Sequence, residues 1–281
     1  MINPLLAKAR VLVLALASVS YLASPSLVRS DDADTIIQSV ADSLKPPRSF
    51  SALSKIETYR NRAPSGSMVL RTYIKISKST DGPHSISIVL SPTGDRGKVF
   101  LRVGGAFWLY DPGAERPVKI STQQRLMGDA SLADVTHFDL EENYSAILEG
   151  DEKIIDISGK QVPAQRLTLK AKSRNVLYPT LRLWVSSRNN RDQRDQRQLP
   201  IKIECLSSAG RVLKTVYYSQ FRGFLGKQRP TELNIVDGTA PGRVTRIRFS
   251  EFRYEEIDAN SYTTGAMPSI SGWAKKDRAG R

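Results

Sequence analysis

The sequence contains one cysteine and two histidines in 281 residues. A lone thiol, Cys205, cannot close an intramolecular disulfide, so stability must come from a packed core whatever the redox state of the compartment. Cys205 lies in the apolar-rich run Ile201 to Leu206, where a buried structural thiol is expected rather than a nucleophile. His84 follows Gly82-Pro83 in a turn, and His137 has no His or Cys partner at ligand spacing. That excludes an all-N/S zinc site and leaves no nucleophile–base pair. No acidic calcium loop is present, and Gly104-Gly105 leads into a strand, not into the helix that a phosphate cradle needs. Acidic pairs such as Glu141-Glu142 and Asp151-Glu152 are expected to be solvated rather than to serve as glycosidase carboxylates. The chain therefore reads as non-enzymatic, with no cofactor and no metal.

Long apolar runs are also missing. The longest, Val11 to Ala23, holds about 13 positions and is too short for a comfortable membrane span. Lys8 and Arg10 precede it and small residues follow, which is the layout of a secretory signal cut after Ser20, Ser24, Ser26 or Ser30. An uncleaved N-terminal anchor is the competing reading. Lipidation at that boundary would need a cysteine, and none is there. Acidic residues are scarce beside basic ones, 28 against 42, for a formal charge of +14. Such a surplus favours anionic partners: nucleic acid, phospholipid headgroups or an acidic protein. Export makes nucleic acid the least natural of them. The run Arg188 to Arg197, where charges alternate with Asn, Gln and Asp, is expected to be a solvated loop.

What is present is a patterned, 40% hydrophobic chain able to bury a core. Ile36, Ile37, Val40 and Leu44 fall at helical spacing behind Asp31, Asp32 and Asp34, predicting a short amphipathic helix from Asp32 that Pro46 and Pro47 stop. From Phe50 onward the texture is strand-like, with Thr72, Ile74 and Ile76 on one face and Ile86, Ile88 and Leu90 on another. Lys98 to Val103 and Phe107 to Tyr110 form a hairpin through Gly104-Gly105. Runs at 166–171, 180–185, 201–206, 212–221 and 245–254 repeat the pattern, with a turn at Gly210. No helix of crossover length separates them, so the sheet should be antiparallel. From Gly128 to Gly150, mixed spacing predicts one or two short helices covering an open face. Trp108, Tyr110, Trp184, Tyr217 and Phe221, with Leu167, Leu169, Leu181, Leu183 and Val185, sit on strand runs. Core packing is the ordinary role for each; the sharper one is to line an apolar cavity for an acyl chain.

The middle of the chain resembles a known family. Trp108-Leu109-Tyr110-Asp111-Pro112, then Pro117-Val118-Lys119-Ile120-Ser121, then the block Gln124-Arg125-Leu126-Met127-Gly128-Asp129-Ala130-Ser131 are similar to a signature of outer-membrane lipoprotein-sorting proteins of the LolA-like superfamily. Tyr144-Ser145, Leu148-Glu149-Gly150, Leu183-Trp184-Val185, Leu213-Lys214-Thr215 and Arg229-Pro230-Thr231 follow in the expected order. The resemblance spans Ile36 to Thr264.

It implies a mainly β (α+β) fold: a curved antiparallel sheet forming an unclosed half-barrel with helices as a lid. It implies residues 1–30 as signal peptide, 31–268 as a lipid or lipoprotein-carrier domain and 269–281 as a basic flexible tail. The implied role is a periplasmic carrier, taking acyl chains of a lipoprotein or lipid from an inner-membrane transporter towards the outer membrane. Its partners would be that acylated cargo, the transporter and an anionic membrane surface, with no nucleic acid. The cavity candidates are Trp108, Tyr110, Met127, Leu169, Trp184, Tyr217 and Phe221. The alternative is a non-catalytic envelope docking module that uses the same sheet for protein partners.

Overall fold

The computed structural model describes residues 30–44, 48–76, 84–103, 105–121, 125–128, 130–131, 140–173, 176–187, 198–224 and 226–277. The segment before Ser30, expected to be a secretory signal, His137 and the charged run 188–197 lie outside the described residues. Helix α1 (Ser30–Leu44) carries the apolar stripe its spacing predicts. Fifteen strands follow in chain order: β1 (Phe50–Arg60), β2 (Ala63–Lys75), β3 (His84–Ser91), β4 (Val99–Val103), β5 (Ala106–Tyr110), β6 (Val118–Ile120), β7 (Arg125–Met127), β8 (Ala130–Ser131), β9 (Tyr144–Ile155), β10 (Gln161–Ala171), β11 (Thr180–Ser186), β12 (Pro200–Leu206), β13 (Val212–Phe224), β14 (Lys227–Asp237) and β15 (Arg243–Tyr254). The short helices are α2 (Leu140–Asn143), α3 (Met267–Ser271) and α4 (Trp273–Lys276).

Thirteen strands form one antiparallel sheet in the order β6-β5-β4-β3-β2-β1-β15-β14-β13-β12-β11-β10-β9, and it is not closed into a barrel. Two meanders thus meet at its centre, where the first strand pairs with the last. Neighbours in the sheet are neighbours in sequence within each meander, as hairpin connections produce. Asn61 and Arg62, at φ 51° and 70°, make the two-residue turn between β1 and β2. Across the central seam, Arg248 lies between Glu57 (2.7 Å) and Glu232 (3.0 Å), linking β1, β15 and β14 on the solvent side.

Alternation divides the sheet into two apolar faces. One carries Ile56, Leu70, Val89, Phe100, Leu167, Leu169, Leu183, Ile203, Val216, Ile235 and Ile247, covered by α1 through Ala33, Ile36, Ile37, Val40 and Leu44. On the other face, Ile86, Ile88, Leu90, Val99 and Leu101 are covered by Tyr262, Met267, Ile270 and Ala274 from the C-terminal segment. Ser269 to Lys276, which composition assigns to a basic tail, is therefore mostly helical and packed: Ile270 is 1% exposed. Its apolar residues are too few to stand out among lysines, but the outer side of β3–β5 needs a cover.

The segment Gly128 to Gly150 also differs from expectation. Only Leu140–Asn143 is helical among its described residues, and Tyr144 to Gly150 belongs to the edge strand β9. Tyr144 is buried, Ala146 and Leu148 half-buried, and Ser145, Ile147 and Glu149 exposed. Burial keeps that period of two to Ile155, but a register shift opposite Gly150, whose φ is 128°, puts Ile154 on the face away from α1 with Ala164 and Trp184.

The turn after β14 carries a titratable contribution to stability. Asp237 accepts hydrogen bonds from the Thr239 amide (2.7 Å), the Thr239 hydroxyl (2.7 Å) and the Ala240 amide (3.0 Å), and pairs with Arg243 at 3.1 Å. Burial pushes its pKa up, but these donors outweigh burial and hold the carboxyl below its ordinary value. A depressed carboxylate stabilises the fold fully above the unfolded pKa of about 3.9, and that share is lost as pH falls through the lower folded value. The acid limb of a stability–pH curve, followed by denaturant midpoint, should therefore be shallower for Asp237→Asn than for the parent.

Candidate functional site

The face beneath α1 is the place where a long apolar ligand could be taken up, because a single helix covers it, and that helix is tied to β14 by side-chain hydrogen bonds at its C-terminal end. Helix α1 presents Ile36, Ile37 and Val40, each at most 3% exposed, to the sheet. Its last carbonyls lack helical partners and must be satisfied from elsewhere. Arg229, on β14, does this: Nη1 donates to Ser43 O (2.9 Å) and Asp42 O (3.3 Å), while Nε donates to Phe224 O (3.2 Å). A planar guanidinium suits the role because its donors fan out in a fixed fork. Burial lowers the Arg229 pKa from its usual value. Its Nη2 is buried with no hydrogen-bond partner among the described residues. Beside it, Lys227 Nζ stands 2.6 Å from Asp42 Oδ2. Burial raises the Asp42 pKa, and hydrogen bonds from Lys227 and Gln38 outweigh it, leaving a net lowering. Cations at a helix C-terminus also complement its dipole.

The hairpin β7–β8 lies on the same face, against β1, β2 and β15. Leu126 and Met127 pack against the core there, and Ala130 is fully buried. Gly128 at its tip has φ +55°, and a Cβ at that position would stand 2.5 Å from Thr245 Oγ1 and 2.6 Å from Thr58 Cγ2. The hairpin can lie this close to β1 and β15 only because residue 128 has no side chain. Gly128→Ala is expected to cost about 1–3 kcal/mol from overpacking and the left-handed backbone together. Gly105→Ala separates the two terms, since Gly105 has φ +69° and nothing within 4 Å of its Cβ position. Denaturant unfolding of the two variants should place Gly128→Ala clearly below Gly105→Ala.

The seven residues singled out from the sequence are divided between the two faces. Leu169 is fully buried in the core under α1, and Met127 and Phe221 pack against its edge. Trp108 and Tyr110 pack on the opposite face, against the group covered by α3 and α4. Trp184 also faces away from α1, in a small cluster with Ile154 and Ala164; its indole N–H donates to Glu152 and Lys202 Nζ lies 3.7 Å above the ring. Tyr217 alternates with the inward Val216 and Tyr218, and burial with nearby Glu204 raises its pKa. Arg229 was not among the seven. Its signal in sequence is the Arg229-Pro230-Thr231 segment, which belongs to the family resemblance but says nothing of the residue's burial.

Among the described residues no three His, Cys, Asp or Glu side chains cluster as metal ligands, and no helix is long and apolar enough to cross a membrane. Cys205 is buried in the core under α1.

The comparisons with known proteins agree with this architecture. A family model described as "uncharacterized protein" matches residues 82–269. Among curated proteins nothing matches significantly. A LolA-superfamily protein from Nitrosomonas europaea superposes with a TM-score of 0.69 at 25% identity, over 83% of this chain and 98% of that one. An outer-membrane lipoprotein-sorting protein domain from Vibrio parahaemolyticus gives 0.69 at 20% identity, over 85% and 100%. A DUF1329 family protein from Desulfovibrio piger gives 0.67 at 18%, over 85% and 97%, and like the Vibrio domain it bears on the fold alone.

Proposed function

We propose, from the premise that this chain belongs to the LolA-like superfamily of outer-membrane lipoprotein-sorting proteins, that it is a non-catalytic periplasmic carrier for an acyl chain. The acyl chain, from a lipoprotein or lipid leaving an inner-membrane transporter, would occupy the sheet face that α1 covers. The observation that carries this reading is α1 itself: an apolar stripe laid on a sheet face and pinned by Arg229 and Lys227 at its C-terminal end. Entry of a ligand would require α1 to move, and the face it covers carries Leu167, Leu169, Leu183 and Ile203. An acyl chain of about fourteen methylenes, at about 0.8 kcal/mol each, offers about 11 kcal/mol before ordering costs. That is enough to compete with the few side chains α1 buries. Met127, Leu169 and Phe221 are the candidates on that face; Trp108, Tyr110, Trp184 and Tyr217, on the other, serve as controls.

Titration with a fluorescent fatty acid tests the assignment. Phe221→Ala should weaken binding while costing less than the roughly 3–5 kcal/mol of an aromatic deleted from a packed core, because Phe221 already lacks partners on one side. Trp184→Ala should leave probe binding unchanged. Equal loss in both variants, or no binding by the parent, would favour the docking-module reading, which the close packing of Leu169, Leu183 and Ile203 supports.

The carrier role also requires export. N-terminal sequencing of protein released by osmotic shock should find a start between Tyr21 and Asp31, and recovery of intact Met1 in the cytosol would remove the periplasmic assignment.

A further inference from the structure

A second concave surface lies on the side of the sheet away from α1. It is a trough of about 910 Å³ running across β2, β1, β15, β14 and β13, within the size range of small-molecule sites. Two features set it apart from an ordinary ribbed sheet face. The first is backbone conformation. Among the described residues four non-glycine positions have positive φ; two form the β1–β2 turn, and the other two, Gln220 (54°) and Glu251 (49°), sit inside strands. Both line this trough. At Glu251 the cause is a bulge: between Leu53↔Ser250 and Ser51↔Arg253, β15 spends one residue more than β1. Bulges and left-handed residues within strands re-aim side chains, and they concentrate at functional sites.

The second feature is the chemistry of the lining. Leu53 and Val69 are half-buried and supply apolar wall. Lys55, Arg222 and Arg248 supply cations, and Glu232 and Glu251 the carboxylates. The carboxylates are already engaged: Glu232 by Arg248, Ser219 and Asn234, Glu251 by Arg71 at 2.8 Å. Arg222, by contrast, is exposed and has no ion-pair partner among the described residues, while Lys55, its side chain 49% exposed, pairs with Glu57 at 2.9 Å. Free charge at the trough is therefore positive, in a chain of net +14.

An apolar wall in the same trough as an exposed, unpaired arginine is complementary to an amphiphile with an anionic head. The geometry points to a second site, separate from the face under α1, that takes the phosphate head of a lipid at Arg222 and lays the adjoining carbon chain across the trough towards Leu53 and Val69. The same chemistry is presented by a lipid in a bilayer and by a dispersed phospholipid monomer.

Calorimetric titration with monomeric dihexanoyl phosphatidylglycerol, and flotation with phosphatidylglycerol-containing vesicles against phosphatidylcholine vesicles, separates these sources. The expected result is binding of the monomer that falls about tenfold in Arg222→Glu, the scale of one lost charge-assisted hydrogen bond, and falls less in Lys55→Glu, whose charge is already paired with Glu57. Retention on phosphatidylglycerol vesicles with the same dependence supports a bilayer source; monomer binding without it supports a dispersed one. Arg222 is exposed and uncommitted, so its variant should keep the parental unfolding midpoint. Fatty-acid binding under α1 should be the same in parent and Arg222→Glu, which keeps this site distinguishable from the carrier assignment. No binding of the phospholipid in either form, or binding indifferent to both substitutions, would overturn the proposal.

Discussion

Arg229→Met is expected to cost about 3 kcal/mol or more and to loosen α1 before any other part of the fold. Replacing a buried ion pair by apolar side chains can be neutral, because both charges leave together. Here the partners are backbone carbonyls, which stay. Ser43 O, Asp42 O and Phe224 O would lose their donor around a residue that is 2% exposed, and methionine offers none. Arg229→Lys keeps the charge but replaces the fork with a single head, so an intermediate loss is expected. Hydrogen exchange resolved along the chain should show α1 amides gaining more than those of β10–β12. Fatty-acid association should quicken in the same variant if α1 must move for the ligand to enter. An unchanged α1 exchange pattern would mean that packing of its apolar stripe alone holds it.

Arg71→Met is the second large effect, and it falls on the opposite face. Arg71 projects from β2 with its side chain 8% exposed, 2.9 Å from Asp277 and 2.8 Å from Glu251. Burial lowers its pKa, and the two carboxylates outweigh burial to raise it. Asp277 directly follows α4, so this contact fastens the end of the segment that covers β3–β5. Arg96 adds a bond to Ala274 O at 2.7 Å, and Trp273 meets Tyr73 edge-on with ring centroids 5.7 Å apart. Removing the guanidinium takes the Arg71 bonds from the half-buried Asp277, while Glu251, 39% exposed, keeps Arg253 at 3.6 Å, so a loss of about 3 kcal/mol is expected. Limited proteolysis should then cut between Tyr254 and Lys276, with a shift in Trp273 emission. Arg166→Met is the contrasting control, because its pair with Glu152 is 3.4 Å long and solvent-exposed, worth at most about 1 kcal/mol.

The elements legible in the sequence were those whose side-chain period is undisturbed. Helix α1 follows from Ile36, Ile37, Val40 and Leu44, and β11 from Leu181, Leu183 and Val185. Strand β9 was hidden because its register shift near Gly150 changes which residues face inward. Strand β14 was hidden by Arg229-Pro230, whose charge and ring read as a break although the arginine is buried against α1. The aromatic candidates illustrate a deeper limit. Alternation places Trp108 and Trp184 on one side of their strands, but this sheet is covered on both sides, so period alone cannot say which cover a residue meets. Only the positions of α1 and of α3–α4 decide it. Gly128 shows the converse, since the block around it resembles a family signature, and the reason lies in a contact between residue 128 and Thr58 and Thr245 that no local pattern reveals.

Native mass spectrometry of protein recovered from the envelope without detergent bears most directly on the carrier assignment. A carrier should retain a population heavier than the bare chain by the mass of an acyl-bearing lipid, released on mild activation. A single species at the mass of the mature polypeptide, under conditions that preserve other lipid complexes, would contradict it.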